Sequence, residues 1–171
     1  MAILQILTYP DPFLMKPAQP VSEIDDALQA IIEDMADTMY DAPGVGLAAI
    51  QAGIDKRIVV YDPDSDEIQR NFQVLINPCI LEYHGSVVSE NEGCLSVPDL
   101  RCDVSRAERI IVEGLDRNGK PLKFEAKGLS SIILQHEIDH LHGILFLEHI
   151  SALKRQIYKR KRQKLIKLEN D

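Results

Sequence analysis

Cysteine is scarce in this 171-residue sequence, which contains only Cys79, Cys94 and Cys102. An odd number of cysteines without a secretory pattern argues against a disulfide-stapled extracellular domain. The first seven residues lack the basic start of a signal peptide, and no apolar run is long enough to span a bilayer. We therefore expect a cytoplasmic protein with free thiols, or with one thiolate on a metal, and we expect neither a membrane nor DNA as its partner.

Internal repeats, low-complexity stretches and linkers are also lacking. A hydrophobic content of 45% with 27% charged residues is ordinary for a globular protein, and 171 residues suffice for one domain with a substantial core. We expect a catalytic domain over residues 1–150, continuous with a basic C-terminal helix over 151–171.

The charge is unevenly distributed along the chain. Residues 154–171 carry eight Lys/Arg and two acidic residues, whereas the preceding 153 residues carry eleven and twenty-five, for a net charge of −8 overall. An acidic body with a basic tail points to a polyanionic partner for the tail. The alternative, a solvated helix whose lysines only maintain solubility, is equally compatible with charge alone.

Periodicity predicts three helices. Ser22 and Asp25 resemble a capping box for a first helix that ends before Pro43. A second helix spans about 129–142 and ends at Gly143. A third begins near Ser151, with one apolar stripe formed by Leu153, Ile157, Leu165 and Leu168.

Short β-branched runs predict strands at 57–61 and 74–77, the latter broken or bent by Pro78. Asn118-Gly119 lies between two apolar runs, 110–115 and 122–126, which predicts a hairpin. The order of these elements favours an α+β fold. In it, antiparallel sheets and hairpins pack around a central metal-binding helix, with one helix N-terminal and one C-terminal to them.

The strongest functional pattern is His136-Glu137-Ile138-Asp139-His140, an H-E-x-x-H sequence. On a helix, two histidines four residues apart project from one face and can bind one metal, with the glutamate placed as a general base. The apolar run before it indicates a buried helix. Buried histidines and glutamates need partners, so the pattern predicts a metal site.

Two histidines leave the third ligand open. A metzincin would have histidine at position 146, where this chain has phenylalanine. The remaining possibilities are Cys94, Cys102, His142, His149 and Glu148. Cys94 stands out because Gly93 precedes it and an extended segment follows. Cys79, after a proline in an apolar strand, is expected to be a buried structural thiol.

Gly44-Val45-Gly46-Leu47-Ala48-Ala49-Ile50-Gln51 is a further unusual segment. Its glycines permit close approach of a ligand or a helix, and by itself packing is the better interpretation. Taken together, however, G-x-G-x-A-A-x-Q, E-G-C-L-S and H-E-x-x-H, in this order, resemble the peptide deformylase family. The resemblance covers nearly the whole chain from Gln5 to the last helix.

The resemblance implies that Cys94, His136 and His140 hold one divalent metal with a water in the fourth position. It suggests Fe(II) in the cell, although two imidazoles and a thiolate also suit Zn, Ni or Co. It further implies hydrolysis of the N-formyl group from formylmethionine on new polypeptides, with release of formate. Glu137 would then transfer the proton, and the Gln51 amide and the Leu95 backbone N–H would stabilise the oxyanion.

Substrate contacts follow partly from helical geometry. Leu129, Ile132 and Ile133 share the face of His136 and should form an apolar wall beside the metal. Core packing is the competing role for each of them. Val45, Gly46 and Gly93 are expected to lie along the peptide, the first two pairing with its backbone as a strand would. We interpret Glu92, Arg101 and Arg106 as residues that support the site or form salt bridges.

Two alternatives remain at the level of sequence. A zincin-type peptidase or other amidase would use His or Glu as the third ligand. An RNA-binding protein with a structural metal would need four protein ligands and no open position. For a deformylase, which acts where new chains emerge, the basic C-terminal helix suggests docking on the ribosome.

Overall fold

The computed structural model describes residues 2–64 and 68–171. Within these residues the chain forms three α-helices and seven strands: α1 (Asp26–Asp41), β1 (Gly46–Ala48), β2 (Ile58–Tyr61), β3 (Gln73–His84), β4 (Val87–Cys94), β5 (Val97–Arg106), β6 (Arg109–Leu115), β7 (Pro121–Lys127), α2 (Gly128–Leu141) and α3 (Ala152–Asn170). The predicted α+β class is confirmed. No helix in these two ranges is both long and apolar enough to cross a membrane.

Five strands form one antiparallel sheet in the order β1-β2-β3-β6-β7. The predicted hairpin is its outer part, with Arg109 opposite Lys127 and Leu115 opposite Pro121. Gly119 adopts a φ of 84° in the connecting turn, which explains why glycine follows asparagine there.

The sheet is covered by a different helix on each face. Val59 packs in the cluster that contains Ile133 and Leu134 of α2. Its neighbours Ile58 and Val60 pack in the cluster of α1 side chains. Successive side chains of a strand point to opposite faces of the sheet. Because both faces are covered here, both sets of β2 side chains are buried, which explains why this strand is apolar throughout.

Helix α2 lies within one residue of its predicted bounds. It ends at Leu141, and Gly143 follows with a φ of 75°, where its N–H donates to the carbonyl of His140. Because the helix packs against β1, β2, β6 and β7, its side chains from Ile133 to Ile138 are buried. The predicted histidine pair therefore lies inside the domain.

Strands β4 and β5 form a separate two-stranded sheet that was not predicted as strands. Apart from Val88, their exposed positions carry charged and polar residues, and register shifts interrupt the alternation between Ser89 and Cys94. The inward-facing Val97 and Val104 pack with Phe146 and Tyr158. This small sheet brings Cys94 to the side of α2.

Three local predictions need correction. The cap of α1 is Asp25, whose side chain accepts the N–H of Leu28, and not Ser22. Strand β3 does not end at Asn77 but continues through Pro78 to His84, with a register shift between Ile76 and Cys79. Pro78 is buried there, so Cys79 faces outward and is exposed; the expectation of a buried structural thiol was wrong.

The apolar stripe of α3 is not the face with which the helix packs on the body. Leu153, Ile157, Leu165 and Leu168 are all exposed, and Tyr158 is the buried residue of this helix. Its hydroxyl donates to the carbonyl of Pro98 at 2.8 Å, and Arg162 donates to Tyr9 O at 2.8 Å. The tyrosine and the arginine of α3 pack on the body because the hydroxyl and the guanidinium donate hydrogen bonds to backbone carbonyls there. Aliphatic side chains could not satisfy these carbonyls.

Replacement of Gly143 by alanine should destabilise the fold more than the same change at Gly128. Both have positive φ, but an added Cβ at Gly143 would lie 2.5 Å from Met15 O, whereas nothing lies within 4 Å at Gly128. The conformation alone costs about 1–2 kcal/mol, and the overlap should add about 1–3 kcal/mol. Urea unfolding of both variants measures the difference, and equal losses of stability would contradict this account.

Candidate metal centre

Three potential ligands converge where the end of β4 meets α2. The ligand atoms of Cys94, His136 and His140 all lie within 4.8 Å of one another. The Sγ of Cys94 is 3.3 Å from His140 Nε2. One soft thiolate and two imidazoles are a donor set for Zn, Fe, Co or Ni, so these residues fit one divalent ion with three protein ligands.

The other ligand candidates from the sequence lie outside this cluster. Cys102 lies opposite Glu92 in the β4–β5 pair, and the Nε2 of His149 is 2.8 Å from Asp139. His142 and Glu148 are exposed. Over residues 2–64 and 68–171, only Cys94, His136 and His140 form a metal-binding group. A structural site with four protein ligands, and a peptidase site with His or Glu as the third ligand, therefore have no basis in the structure.

His136 is oriented by a buried ion pair. Its Nδ1 donates to Glu92 Oε1 at 2.7 Å, which leaves Nε2 for the metal. Arg106 donates to the same carboxylate from Nη2 at 2.5 Å and from Nε at 3.3 Å. Burial would raise the pKa of Glu92, but the hydrogen bonds from His136 and Arg106 outweigh it and lower the pKa to about 2. Glu92 is therefore a fixed anion behind the ligand.

His140 is fully buried. Burial, with the nearby positive charge of Arg106, holds the pKa of His140 well below its usual value. A neutral imidazole is the form that binds a metal. Its ring centroid lies 5.1 Å from that of His136, as expected for residues one helical turn apart.

Glu137 is a buried carboxylate that approaches a glycine. Burial raises its pKa to about 7, and its Oε2 has no hydrogen-bond partner among the residues described. A Cβ on Gly46 would lie 2.8 Å from Glu137 Oε1. Gly46 is therefore required for this position of the carboxylate. In this position Glu137 has one unsatisfied acceptor oxygen beside the three ligands, which a polar group bound there could satisfy.

Gln51 faces Cys94 from the other side. Its Oε1 accepts the backbone N–H of Ala48 at 2.9 Å, which directs Nε2 toward Ser96 Oγ at 3.1 Å and Cys94 Sγ at 3.8 Å. Leu95 lies in the tight turn between β4 and β5. Ser96 thus helps to hold the Gln51 amide. It was assigned no role from the sequence, although it is the last residue of the E-G-C-L-S segment.

A cleft of about 760 Å³ opens at this centre. Its wall includes every residue predicted to contact substrate: Val45, Gly46, Gly93, Leu129, Ile132 and Ile133. Arg101 does not join the Glu92–Arg106 pair. It lines the cleft and covers Gly93, where a Cβ would lie 3.1 Å from its guanidinium carbon. Asn91 and Asp99, which also line the cleft, were missed; both have positive φ.

Known proteins match this chain over almost all of its length. The model of the polypeptide deformylase family matches residues 3–156. A peptide deformylase of Desulfosudis oleivorans is 53% identical over 98% of this chain and 96% of its own. The crystal structure of a Legionella pneumophila peptide deformylase superposes with a TM-score of 0.89 at 47% identity, covering 99% and 98% of the two chains. An Acinetobacter baumannii peptide deformylase, solved with Met-Ala-Ser bound, superposes with a TM-score of 0.82 at 36% identity, covering 87% and 99%.

Cys94→Ala should abolish metal retention, because it removes the only thiolate within reach of both histidines. Cys79→Ala and Cys102→Ala are matched controls that should keep the metal, since neither cysteine is part of the cluster. Metal content after desalting, measured by elemental analysis, distinguishes the three variants. Full metal content in Cys94→Ala would show that the ligand set is wrong.

Proposed function

The chain belongs to the polypeptide deformylase family and removes the formyl group from newly made polypeptides, and we propose the roles that its residues take in this hydrolysis. The supporting observation is the buried Glu137 carboxylate, which lies beside the Cys94–His136–His140 cluster at the wall of the cleft. The bond that breaks joins the formyl carbon to the methionine nitrogen, and the products are formate and a free amine.

Cys94, His136 and His140 would hold the metal that this family requires. When bound, the ion supplies Lewis acidity, which lowers the pKa of water and polarises the formyl oxygen. Among the metals that suit this donor set, we assign Fe(II) as the ion in the cell, on the family resemblance.

Protein purified without oxygen should contain iron and release formate from formyl-methionyl peptides. Air should inactivate it, because thiolates beside an accessible cleft oxidise readily, and replacement by nickel or cobalt should slow this inactivation. Metal analysis with timed activity assays measures both. Zinc as the sole metal in fully active, anaerobically purified protein would contradict the iron assignment.

Glu137 moves the protons. One carboxylate oxygen takes the proton of the attacking water, and the acid so formed gives a proton to the departing amine nitrogen. Its burial suits this role, because a carboxyl group with a pKa of about 7 can both accept and donate near neutrality. Gly46 keeps the space that the carboxylate occupies.

Gln51 and Leu95 would stabilise the oxyanion that develops on the formyl oxygen. The Gln51 amide is aimed before substrate arrives, because Ala48 fixes its oxygen and Ser96 its nitrogen. The backbone N–H of Leu95, next to Cys94 in the turn, is the second donor. Donors held in place in advance need no reorganisation during the reaction.

Two substitutions separate these roles. Glu137→Gln keeps the shape but cannot take a proton, so turnover should fall by about 10²–10⁴-fold. Gln51→Leu removes one oxyanion donor and should lower kcat by about 10²–10³-fold. Both should retain metal. Steady-state formate release with metal content measured in parallel tests them, and near-normal turnover in Glu137→Gln would place the proton acceptor elsewhere.

The cleft wall suits a peptide that begins with methionine. Leu129, Ile132 and Ile133 give an apolar surface beside Glu137 for an unbranched side chain, while Val45, Gly46 and Gly93 would follow the peptide backbone. The bound Met-Ala-Ser in the Acinetobacter relative supports a peptide in the corresponding cleft. Asn91, Asp99 and Arg101 lie along the same cleft and would contact residues after the methionine.

Helix α3 would dock on the ribosome, as an appendage (151–171) to a catalytic domain formed by residues 1–150 in the cytoplasm of a bacterium. Its outward face carries the exposed cations Lys154, Arg160, Lys161, Lys164 and Lys167. Arg155 and Arg162, by contrast, bond to the body. The outward set is available to phosphates without disturbing the packing of the helix.

Lys161, Lys164 and Lys167 changed together to Gln should weaken ribosome binding. The salt dependence of binding should also fall, by about one unit of slope for each phosphate that the helix no longer neutralises. Lys120, Lys123 and Lys127 changed to Gln, also exposed, are the matched control of equal charge. Deformylation of short peptides should be unchanged in both variants. Co-sedimentation at several salt concentrations measures binding, and equal binding by the two variants would leave α3 as a solvated helix.

A further inference from the structure

A chain of hydrogen bonds continues outward from the Glu92–Arg106 pair. Arg106 Nη1 donates to Asp139 Oδ2 at 3.1 Å, and His149 Nε2 lies 2.8 Å from the same oxygen. Since an ionised carboxylate only accepts, His149 donates. The side chains become more exposed along the path: 3% for Arg106, 25% for Asp139 and 37% for His149.

We propose that Asp139 and His149 are positioning residues for the metal, acting through Arg106 and Glu92 on His136. This proposal rests on the proposed ligand set. His149 fixes the Asp139 carboxylate, Asp139 fixes one arm of the Arg106 guanidinium, and the other arm fixes Glu92. Glu92 then holds His136 in the tautomer that has Nδ1 protonated and Nε2 free.

The physical reason is the sharing of one cation between two carboxylates. Arg106 is buried and bonds to Glu92 and Asp139 at once. Without the Asp139 carboxylate, the guanidinium would be neutralised by Glu92 alone, and Glu92 would polarise His136 less. A ligand histidine that is less strongly polarised is a weaker electron donor. The pair of carboxylates around one arginine thus leaves a net negative charge behind the metal site.

His149 contributes by holding the Asp139 carboxylate in place. It lies at the end of the 3₁₀ helix Phe146–His149, and Phe146 of the same turn stacks on the His136 ring with centroids 6.1 Å apart. One short segment therefore supports His136 both directly, by ring packing, and indirectly, through the hydrogen-bonded path. Asp139, an unspecified position of the H-E-x-x-H pattern, thereby has a function in this chain.

Asp139→Asn and His149→Leu test the path. Mutation of an outer partner of a ligand histidine changes metal affinity by about 10- to 100-fold. We expect metal release to a chelator to be about tenfold faster in Asp139→Asn, at the lower end of that range, and less accelerated in His149→Leu. His149→Gln, whose amide can donate to Asp139 in place of Nε2, should restore slow release.

His84→Leu is the matched control. His84 Nε2 lies 2.7 Å from Glu82 Oε2, so this variant also removes a histidine–carboxylate bond, but one with no connection to the metal site. It should release metal at the wild-type rate. Thermal unfolding of metal-loaded and metal-free protein adds a second readout. The stabilisation by metal should shrink in Asp139→Asn and His149→Leu and be unchanged in His84→Leu.

Release rates and metal stabilisation equal to wild type in both path variants would overturn the proposal. So would equal destabilisation of the loaded and metal-free forms, which indicates a structural role alone. Unchanged release in His149→Leu would remove His149 from the path. Wild-type protein that binds no metal would instead contradict the ligand assignment, so the two failures are distinguishable.

Discussion

The structure depends on one constraint: polar, metal-binding side chains must be carried by a helix that is otherwise core. Helix α2 packs under the five-stranded sheet with Ile133, Leu134 and Ile138, yet His136, Glu137 and His140 on the same helix are nearly inaccessible. Buried polar groups are costly unless they are paired. The Glu92–His136 bond and the Arg106 pair supply one partner, and the metal supplies the other. The ligand site and the core are therefore formed by the same contacts.

The glycine segment is explained by the same helix. Gly46 of β1 lies against Glu137, and any side chain there would enter the space of the carboxylate and of Ile133. The sequence alone favoured packing for this segment, and packing is indeed what Gly46 does. The group packed against it, however, is the glutamate of the metal site. Close packing of the glycine and placement of the carboxylate are thus two descriptions of one contact.

Features that depend on residues close together in the chain could be predicted from the sequence. The spacing of His136 and His140 predicted a helix on which both share one face, and Asn118-Gly119 predicted a hairpin. Cys94 could not be chosen as the third ligand from the residues alone. It lies 46 residues before His140 in the chain, and only the folding of the β4–β5 sheet brings the two side chains together. The family resemblance was what selected it. Cys79 was misassigned because a register shift at Pro78 reverses the side to which it points.

The difference at α3 between the apolar stripe and the buried side chain has a more general cause. Periodicity detects an apolar stripe, but which face of a helix is buried depends on the surface that it packs against. Here that surface carries the backbone carbonyls of Pro98 and Tyr9, which accept hydrogen bonds from a tyrosine hydroxyl and a guanidinium. Pro98 also lines the cleft, and the N–H of Tyr9 donates to Ser96 O, whose side chain meets Gln51. The contacts that anchor the basic helix are therefore joined to the wall of the cleft and to the bonds that hold the Gln51 amide. Removal of α3 would disturb that wall, so the exposed basic residues of the helix and its packing surface have to be altered separately.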